Sequence, residues 1–258
     1  MMNQSLLNEY EELLLQRDQL LLDADQIELQ YVQAFGEARK SLFEEQIACI
    51  RCKKALAWYQ QAHNHGLSVD PDQLKSYLDH EMLSYQLQLS QMIRDNEAAA
   101  DTRAVTPYEE RRSRSLYRIL ARKLHPDMHP GLMGDDLLSG LWLRISAAYH
   151  NFDVKALTEL SVLADRRLRE LGLDPAAGLS GLEDLEERIE EVREEIVQIT
   201  SCEPYTYRSL LEDEEAVALE QKRLAEELAR YRAYHAELDA LLQSKLEEGG
   251  TTLTWLMN

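Results

Sequence analysis

Residues that bend, cross-link or interrupt a chain are scarce in this sequence of 258 residues, which holds 10 Gly, 6 Pro and 3 Cys. Three cysteines are an odd number and too few for a disulfide framework, which fits a reducing compartment. Proline and glycine are the residues that helices tolerate least, so their scarcity permits long uninterrupted helices. The helix formers Leu, Glu, Gln, Ala and Arg fill long stretches of the chain. The composition therefore predicts an all-α fold.

Positive charge is also scarce, with 28 Lys and Arg against 47 Asp and Glu and a net charge of −19. Nucleic acids and anionic membrane surfaces should repel such a chain, so neither is expected as a partner. No window approaches the roughly 20 apolar residues that a membrane helix requires, and no basic leader precedes an apolar segment at the amino terminus. These features predict a cytoplasmic protein.

Familiar catalytic and metal-binding patterns are missing. The sequence has no Gly-rich phosphate loop, no Ser-His-Asp order and no paired-carboxylate site, so we expect neither an enzyme nor a cofactor. Cys49 and Cys52 form a CxxC without a second pair at metal-ligand spacing, which favours simple helix packing. His125 and His129 are four residues apart, but Pro126 interrupts the helix that would place them on one face. No metal site is expected.

Two helices are predicted in the first part of the chain, which we assign to one helical hairpin over residues 1–100. No proline occurs from about Leu6 to His63, and apolar positions recur there at steps of three and four. Gly66 and Asp70-Pro71 supply a stop and a restart. A second helix is therefore predicted from about Pro71 to Glu97. Its residues expected to face the first helix are Leu74, Leu78, Tyr85, Leu89 and Met92.

Residues 101–172 are predicted to form a separate helical module. Thr106-Pro107 combines a cap with a helix-starting proline and opens a helix that should run to Leu124. Pro126 and Pro130 forbid helix in the residues that follow. Helical spacing then resumes at Leu138, Trp142, Ile145, Tyr149 and Phe152.

Residues 178–258 are predicted to form an antiparallel coiled-coil hairpin with a short tail. Residues 180–183 have the form of a capping box, and apolar residues alternate at steps of three and four from Leu182 to Ile199. The same alternation continues from Val217 to Leu242 after a break at Ser201 to Pro204. The sequence leaves open whether the hairpins close within one chain or between two, so self-association through the coiled coils stays an alternative.

A basic segment stands out from this acidic background, because seven cations and two carboxylates lie between Arg103 and Leu124. At 100° per residue the arginines at positions 111, 114, 118 and 122 fall within a sector of about 80°. The apolar Tyr117, Leu120, Ala121 and Leu124 cluster about a third of a turn away. One side of this helix should therefore pack while the adjacent side presents charge, unless the arginines pair with the acidic helices of the same chain.

The end of this helix carries a resemblance to a known family. The stretch Tyr117 to Asp127, "YRILARKLHPD", resembles the second helix and the HPD loop of a J domain, the module of DnaJ-type co-chaperones. Pro130-Gly131 stand where the family often has them. The family's third-helix pattern is matched by Trp142, Ile145, Ala148 and Tyr149. The resemblance covers about residues 107–157, and nothing upstream of Pro107 is similar to the family's first helix.

The resemblance implies a J-domain-like helical hairpin with an HPD loop, flanked here by long antiparallel coiled-coil helices. Such a protein would bind a DnaK-type heat-shock chaperone and stimulate its ATP hydrolysis. By resemblance, Asp127 would engage an arginine on the partner, and His125 and Pro126 would shape the loop. The docking face would consist of Arg114, Arg118, Arg122 and Lys123.

A second interpretation is a coiled-coil scaffold in which the hairpin is an inactive, degenerate J-like domain. Its loop would be inert, and its arginines would pair with the protein's own acidic helices. The two interpretations differ in whether the loop and the basic face are exposed or covered by flanking helices.

Overall fold

A computed structural model describes residues 2–173 and 184–248, in which helices are joined by short turns and loops and no strand occurs. The predicted all-α class is confirmed. Single 3-10 turns occupy Pro130–Gly134 and Tyr205–Tyr207. The helices are α1 (Met2–Asn64), α2 (Pro71–Asp101), α3 (Pro107–Leu124), α4 (Asp136–His150), α5 (Val154–Leu171), α6 (Leu185–Ser201), α7 (Arg208–Leu211) and α8 (Glu214–Glu248). The capping box predicted at residues 180–183 and the tail after 248 lie outside the described residues.

The predicted helix starts at Pro71 and Pro107 are confirmed, and each has a side-chain cap. The carboxylate of Asp70 accepts hydrogen bonds from the first amides of α2. At α3 the Thr106 hydroxyl accepts from the Glu109 amide at 3.2 Å, and the Glu109 carboxylate accepts from the Thr106 amide at 2.9 Å. This reciprocal capping box, together with a proline in the first turn, sets where α3 begins.

The chain divides into two compact units, and α1 contributes to both. Unit 1 consists of Met1–Glu28 and Arg103–Arg208, and unit 2 consists of Leu29–Thr102 and Ser209–Asn258. This division differs from the boundaries predicted from the sequence, 1–100, 101–172 and 178–258. The physical reason is that α1 is one continuous helix whose two parts bury their apolar residues in different cores.

Unit 1 has a single core that combines the start of α1 with α3, α4, α5 and α6. Tyr117 of α3 stacks on Tyr149 of α4 with ring centroids 3.9 Å apart, and its ring lies 5.8 Å from that of Trp142. The predicted packing of α3 against α4 is confirmed. Side chains with no measurable exposure in this core are Leu14, Leu120, Ala121, Leu124, Met128, Leu138, Ile145, Leu157 and Ala164.

Unit 2 contains the predicted antiparallel pairing of α1 with α2. The Lys54 ammonium lies 2.6 Å from the Glu81 carboxylate, and the Gln33 amide donates to the Ala99 carbonyl at 2.8 Å. Leu74 and Leu78 are fully buried as predicted, whereas Tyr85, Leu89 and Met92 are half-buried. The α2 helix also runs four residues beyond its predicted end at Glu97.

Cys49 and Cys52 are both buried and pack with Leu238 of α8. Burial raises the pKa of the Cys52 thiol to about 11, and it raises the pKa of the Cys49 thiol as well. Both side chains therefore stay protonated at neutral pH, which disfavours redox chemistry and metal binding. Their role is the helix packing that the sequence predicted.

The coiled-coil hairpin predicted for residues 178–258 differs from the arrangement in the structure. The buried residues of α6, Leu185, Ile189 and Val192, belong to the core of unit 1. Those of α8, among them Leu224 and Leu238, pack in unit 2 with residues of α1. The reason is that α1 also presents a long apolar seam. The three-four spacing of apolar residues predicts that a helix packs along a seam, but it does not specify which helix is the partner.

We expect Leu14→Ala in α1 to lower the free energy of unfolding of unit 1 by about 2–5 kcal/mol, because it leaves a cavity in that core. Leu21→Ala is the matched control on the same helix, since Leu21 is 44% exposed, and it should cost less than about 0.5 kcal/mol. Urea unfolding followed by Trp142 fluorescence, with Trp58→Phe and Trp255→Phe in the background, measures both. Equal destabilisation by the two variants would contradict the assignment of α1 to this core.

Candidate functional site

The His-Pro-Asp loop follows directly from the end of α3. Pro126 lacks the amide hydrogen that would continue the helix, so α3 ends at Leu124. The loop is then closed by its own backbone, because the amides of Met128 and His129 donate to the His125 carbonyl at 3.1 and 2.8 Å. The Asp127 amide donates to Nδ1 of His125 at 3.1 Å. The loop is a tight turn that leaves the Asp127 carboxylate 42% exposed.

His125 is buried and faces α1. Its Nε2 lies 3.2 Å from Oδ2 of Asp18, and its ring lies edge-on to Trp142 with centroids 5.0 Å apart. The Tyr117 hydroxyl donates to the same Asp18 oxygen at 2.7 Å. Because both ring nitrogens of His125 are engaged, neither is left to activate a nucleophile or to bind a metal. The contacts of His125 fix the shape of the loop and anchor it to α1.

Asp18 is held in its charged form by these neighbours. Burial alone would raise the pKa of Asp18, but its hydrogen bond and electrostatic interaction with His125, the Tyr117 hydroxyl and the Arg17 guanidinium outweigh burial and lower it. Burial, followed by the charge of Asp18, raises the pKa of Tyr117. The buried pair is therefore a carboxylate that accepts and a neutral phenol that donates.

Arg17 connects α1, the loop and α6. One of its nitrogens lies 3.1 Å from Oδ2 of Asp127 and 3.0 Å from Oδ1 of Asp18. The other terminal nitrogen lies 3.1 Å from the Glu195 carboxylate of α6. Burial alone would lower the pKa of Arg17, but the three carboxylates raise it. From the sequence, Arg17 is predicted only to lie in the apolar three-four register of the first helix, between Leu13 and Leu20, with no functional role.

The four cations predicted as a docking face lie along α3 and are all paired within unit 1. Arg118 lies 2.9 Å from the Glu12 carboxylate, and Lys123 lies 2.6 Å from the Asp165 carboxylate of α5. Arg114 contacts Asp23 and Glu110, and Arg122 contacts Glu11 and Glu12. The side chains stay 30–53% exposed. We call these cations, Arg114, Arg118, Arg122 and Lys123, the basic row.

A cavity of about 300 Å³ opens beside the loop. Aromatic side chains of Tyr117, Trp142 and Tyr149 line it together with charged residues of α1 and the loop. Ser146 also lines the cavity, so a serine, a histidine and an aspartate meet there. They do not form a catalytic relay, because the ring nitrogens of His125 already contact Asp18 and the Asp127 amide.

His129 does not join His125 in a metal site. Its Nε2 contacts the Arg122 carbonyl at 2.8 Å, and its buried Nδ1 has no hydrogen-bond partner. Burial lowers the pKa of His129, so the ring is neutral at physiological pH. Within residues 2–173 and 184–248 no group of three or more His, Cys, Asp and Glu side chains could hold a metal ion.

Comparison of the chain with protein-family models, with curated proteins and with solved structures finds no match. Among the helices in the described part of the chain, none combines the length and the apolar character needed to cross a membrane.

We expect Asp18→Asn to lower the free energy of unfolding of unit 1 by about 1.5–3 kcal/mol at pH 7, because it removes the charge that meets Arg17 and His125. The folded-state pKa of Asp18 is lowered, so its stabilisation is complete above about pH 4 and is lost as the pH falls through the lowered pKa. The difference in free energy of unfolding between wild type and variant should therefore become smaller toward acid pH. Urea unfolding followed by Trp142 fluorescence at each pH measures it.

The matched control is Asp25→Asn on the same helix, whose side chain is 57% exposed and pairs with His150. It should change the free energy of unfolding by less than about 1 kcal/mol at pH 7. If the difference in free energy of unfolding between wild type and Asp18→Asn stays constant from pH 7 to pH 3, the lowered pKa of Asp18 is contradicted.

Proposed function

We propose that this chain is a J-domain-type co-chaperone that binds a DnaK-type heat-shock chaperone and stimulates its ATP hydrolysis. The observation that carries the proposal is the placement of the tripeptide: the basic row runs along α3 and ends at a tight loop whose Asp127 carboxylate is half-exposed. The resemblance of residues 117–127 to the HPD segment of J domains supplies the partner class. The packing of α3 against α4 on either side of the loop supports the proposal.

The basic row suits an acidic partner surface although the chain as a whole is acidic. Charges more than about 8–10 Å apart are largely screened at physiological salt, so a docking partner responds to the nearest cations. The row's own ion pairs are partly exposed, and such pairs contribute about 0–1 kcal/mol each. A carboxylate on a partner can therefore replace that of Glu12, which is 55% exposed, at little cost.

The start of α1 shares one core with both helices that flank the loop. Leu7, Leu14 and Leu22 enter the same core as the buried side chains of α3 and α4. A J-like hairpin needs a third helix to cover the apolar faces of its two helices. We propose that residues 7–22 of α1 perform this role here.

The second candidate function is the coiled-coil scaffold with an inactive J-like domain. One observation favours it: each cation of the basic row, and Asp127 itself, contacts an oppositely charged residue of the same unit. In this interpretation the pairs only stabilise unit 1. A test on the partner's ATPase separates the two functions.

We expect Asp127→Asn to abolish stimulation of the DnaK-type ATPase of the source organism, because it removes the charge that by resemblance meets an arginine of the partner. The substitution keeps the size of the side chain and removes one partly exposed ion pair, while Arg17 keeps Asp18 and Glu195 as partners. The unfolding free energy should therefore change by about 1 kcal/mol or less. Steady-state ATP hydrolysis and thermal unfolding measure the two effects. Equal stimulation by wild type and Asp127→Asn, or none by wild type at saturating concentration, would favour the scaffold.

We expect Arg118→Glu to weaken association with the chaperone without abolishing stimulation at saturating protein. Reversing one charge of a screened docking face should raise the half-saturating concentration more at low salt than at high salt. The matched control is Arg166→Glu on α5, which makes the same charge change at an exposed residue paired with Glu170. An equal loss with both variants would show that only net charge matters, which would contradict a docking face on α3.

A further inference from the structure

Charged side chains at the start of α1 face the loop and the basic row, and each has the opposite charge to the group that it contacts. Arg17 contacts the Asp127 carboxylate at 3.1 Å. About one and a half turns earlier, the Glu12 carboxylate contacts Arg118 at 2.9 Å and Arg122 at 2.8 Å. Glu11 adds a second carboxylate on Arg122. The proposed function assigns to the partner an arginine that meets Asp127 and carboxylates that meet the basic row. Arg17 and the carboxylates of Glu11 and Glu12 are the corresponding groups within the chain.

These polar contacts are not what holds α1 in place. Leu14, Leu15 and Leu22 are at most 3% exposed in the core of unit 1, so the burial of apolar side chains anchors the helix. The pairs of Glu12 with Arg118 and Arg122 have side chains 47–55% exposed, and ion pairs at that exposure contribute little to stability. The Glu12 carboxylate can therefore exchange partners while the α1 backbone stays docked. Glu11 and Arg17 are only 17% and 16% exposed, but the groups they contact, Arg122 and Asp127, are 47% and 42% exposed and can turn to a partner.

We propose that Glu11, Glu12 and Arg17 form an intramolecular counter-surface that occupies the loop and the basic row in place of the partner. The inference rests on the proposed function, and it specifies the kind of partner surface that fits. That surface carries an arginine for Asp127 and carboxylates for Arg118 and Arg122. On α1 the corresponding groups, Arg17 and the carboxylates of Glu12 and Glu11, are five and six residues apart, about 7.5–9 Å along the helix axis. A partner binds by displacing these side chains and not the helix.

Two variants remove the counter-surface from opposite ends. Arg17→Gln leaves Asp127 without its cation, while Asp18 keeps Tyr117 and His125 as partners. Glu11→Gln with Glu12→Gln leaves Arg118 and Arg122 without carboxylates. The matched control is Glu37→Gln with Glu44→Gln, which makes the same change of charge on the part of α1 that belongs to unit 2.

We expect the Glu11/Glu12 double variant to lower the half-saturating concentration for ATPase stimulation about three- to tenfold at low salt, with a smaller effect at high salt. Arg17→Gln should also lower the half-saturating concentration, and the Glu37/Glu44 control should keep it within about twofold of the wild-type value. Stimulation by wild type that neither counter-surface variant improves would overturn the inference and leave the proposed co-chaperone function standing. An equal improvement by the control would also overturn it, because net charge would then explain the effect.

A second measurement needs no chaperone. The amides of Asp127, Met128 and His129 are all hydrogen-bonded to His125, so their hydrogen exchange reports opening of the loop. Arg17→Gln should speed this exchange about three- to tenfold relative to wild type, while amides at the middle of α5 stay unchanged. Unchanged exchange would show that Arg17 does not hold the loop, which overturns the inference. Exchange could also be faster in Arg17→Gln although neither wild type nor any variant stimulates the ATPase. That result would confirm that Arg17 holds the loop, and it would overturn both the inference that Arg17 stands in for a partner and the proposed function.

Discussion

Unit 1 depends on the burial of the apolar face of α1 in one core with α3, α4, α5 and α6. Leu14 and Leu22 of α1 share that core with Leu120 and Leu124 of α3. Burial at this scale is worth several times as much as the half-exposed ion pairs around it. Its direct consequence is geometric: once the leucines are docked, the charged residues between them must lie beside the His-Pro-Asp loop and the basic row. The electrostatics of the site follow from the packing.

The charged residues at this position divide into two layers that behave differently. Asp18, His125 and Tyr117 form a buried layer in which each polar atom has a partner, and a change there disturbs the fold. Arg118 and Arg122 belong to an outer layer, whose ion pairs reach solvent. The inner layer sets the shape of the loop, and the outer layer is accessible to solvent. A protein with net charge −19 thus keeps a local cationic surface without leaving it unpaired.

Much of the local structure was predictable because it depends on near neighbours in the chain. Caps and prolines set the start of α2 and α3, and Pro126 sets the end of α3. The stripe of Tyr117 and Leu120 correctly indicated which side of α3 packs on α4. Arg17 was missed, since its importance comes from Asp127, 110 residues away in the sequence. The predicted pairing of α6 with α8 differs from the structure for a related reason. A long apolar seam can pack against any other apolar seam, so the sequence pattern does not specify the partner.

The sequence by itself determined the helical class, the starts of α2 and α3, the end of α3, and the juxtaposition of a basic helix with a His-Pro-Asp loop, because capping, proline and periodicity act over a few residues. Only the tertiary structure decided that α1 serves both units, that α6 and α8 bury their seams in different units, and that the basic row is paired with carboxylates of α1 and α5. These features depend on which of several similar apolar faces meet. That choice is made by the complementarity of whole surfaces, which local patterns do not encode.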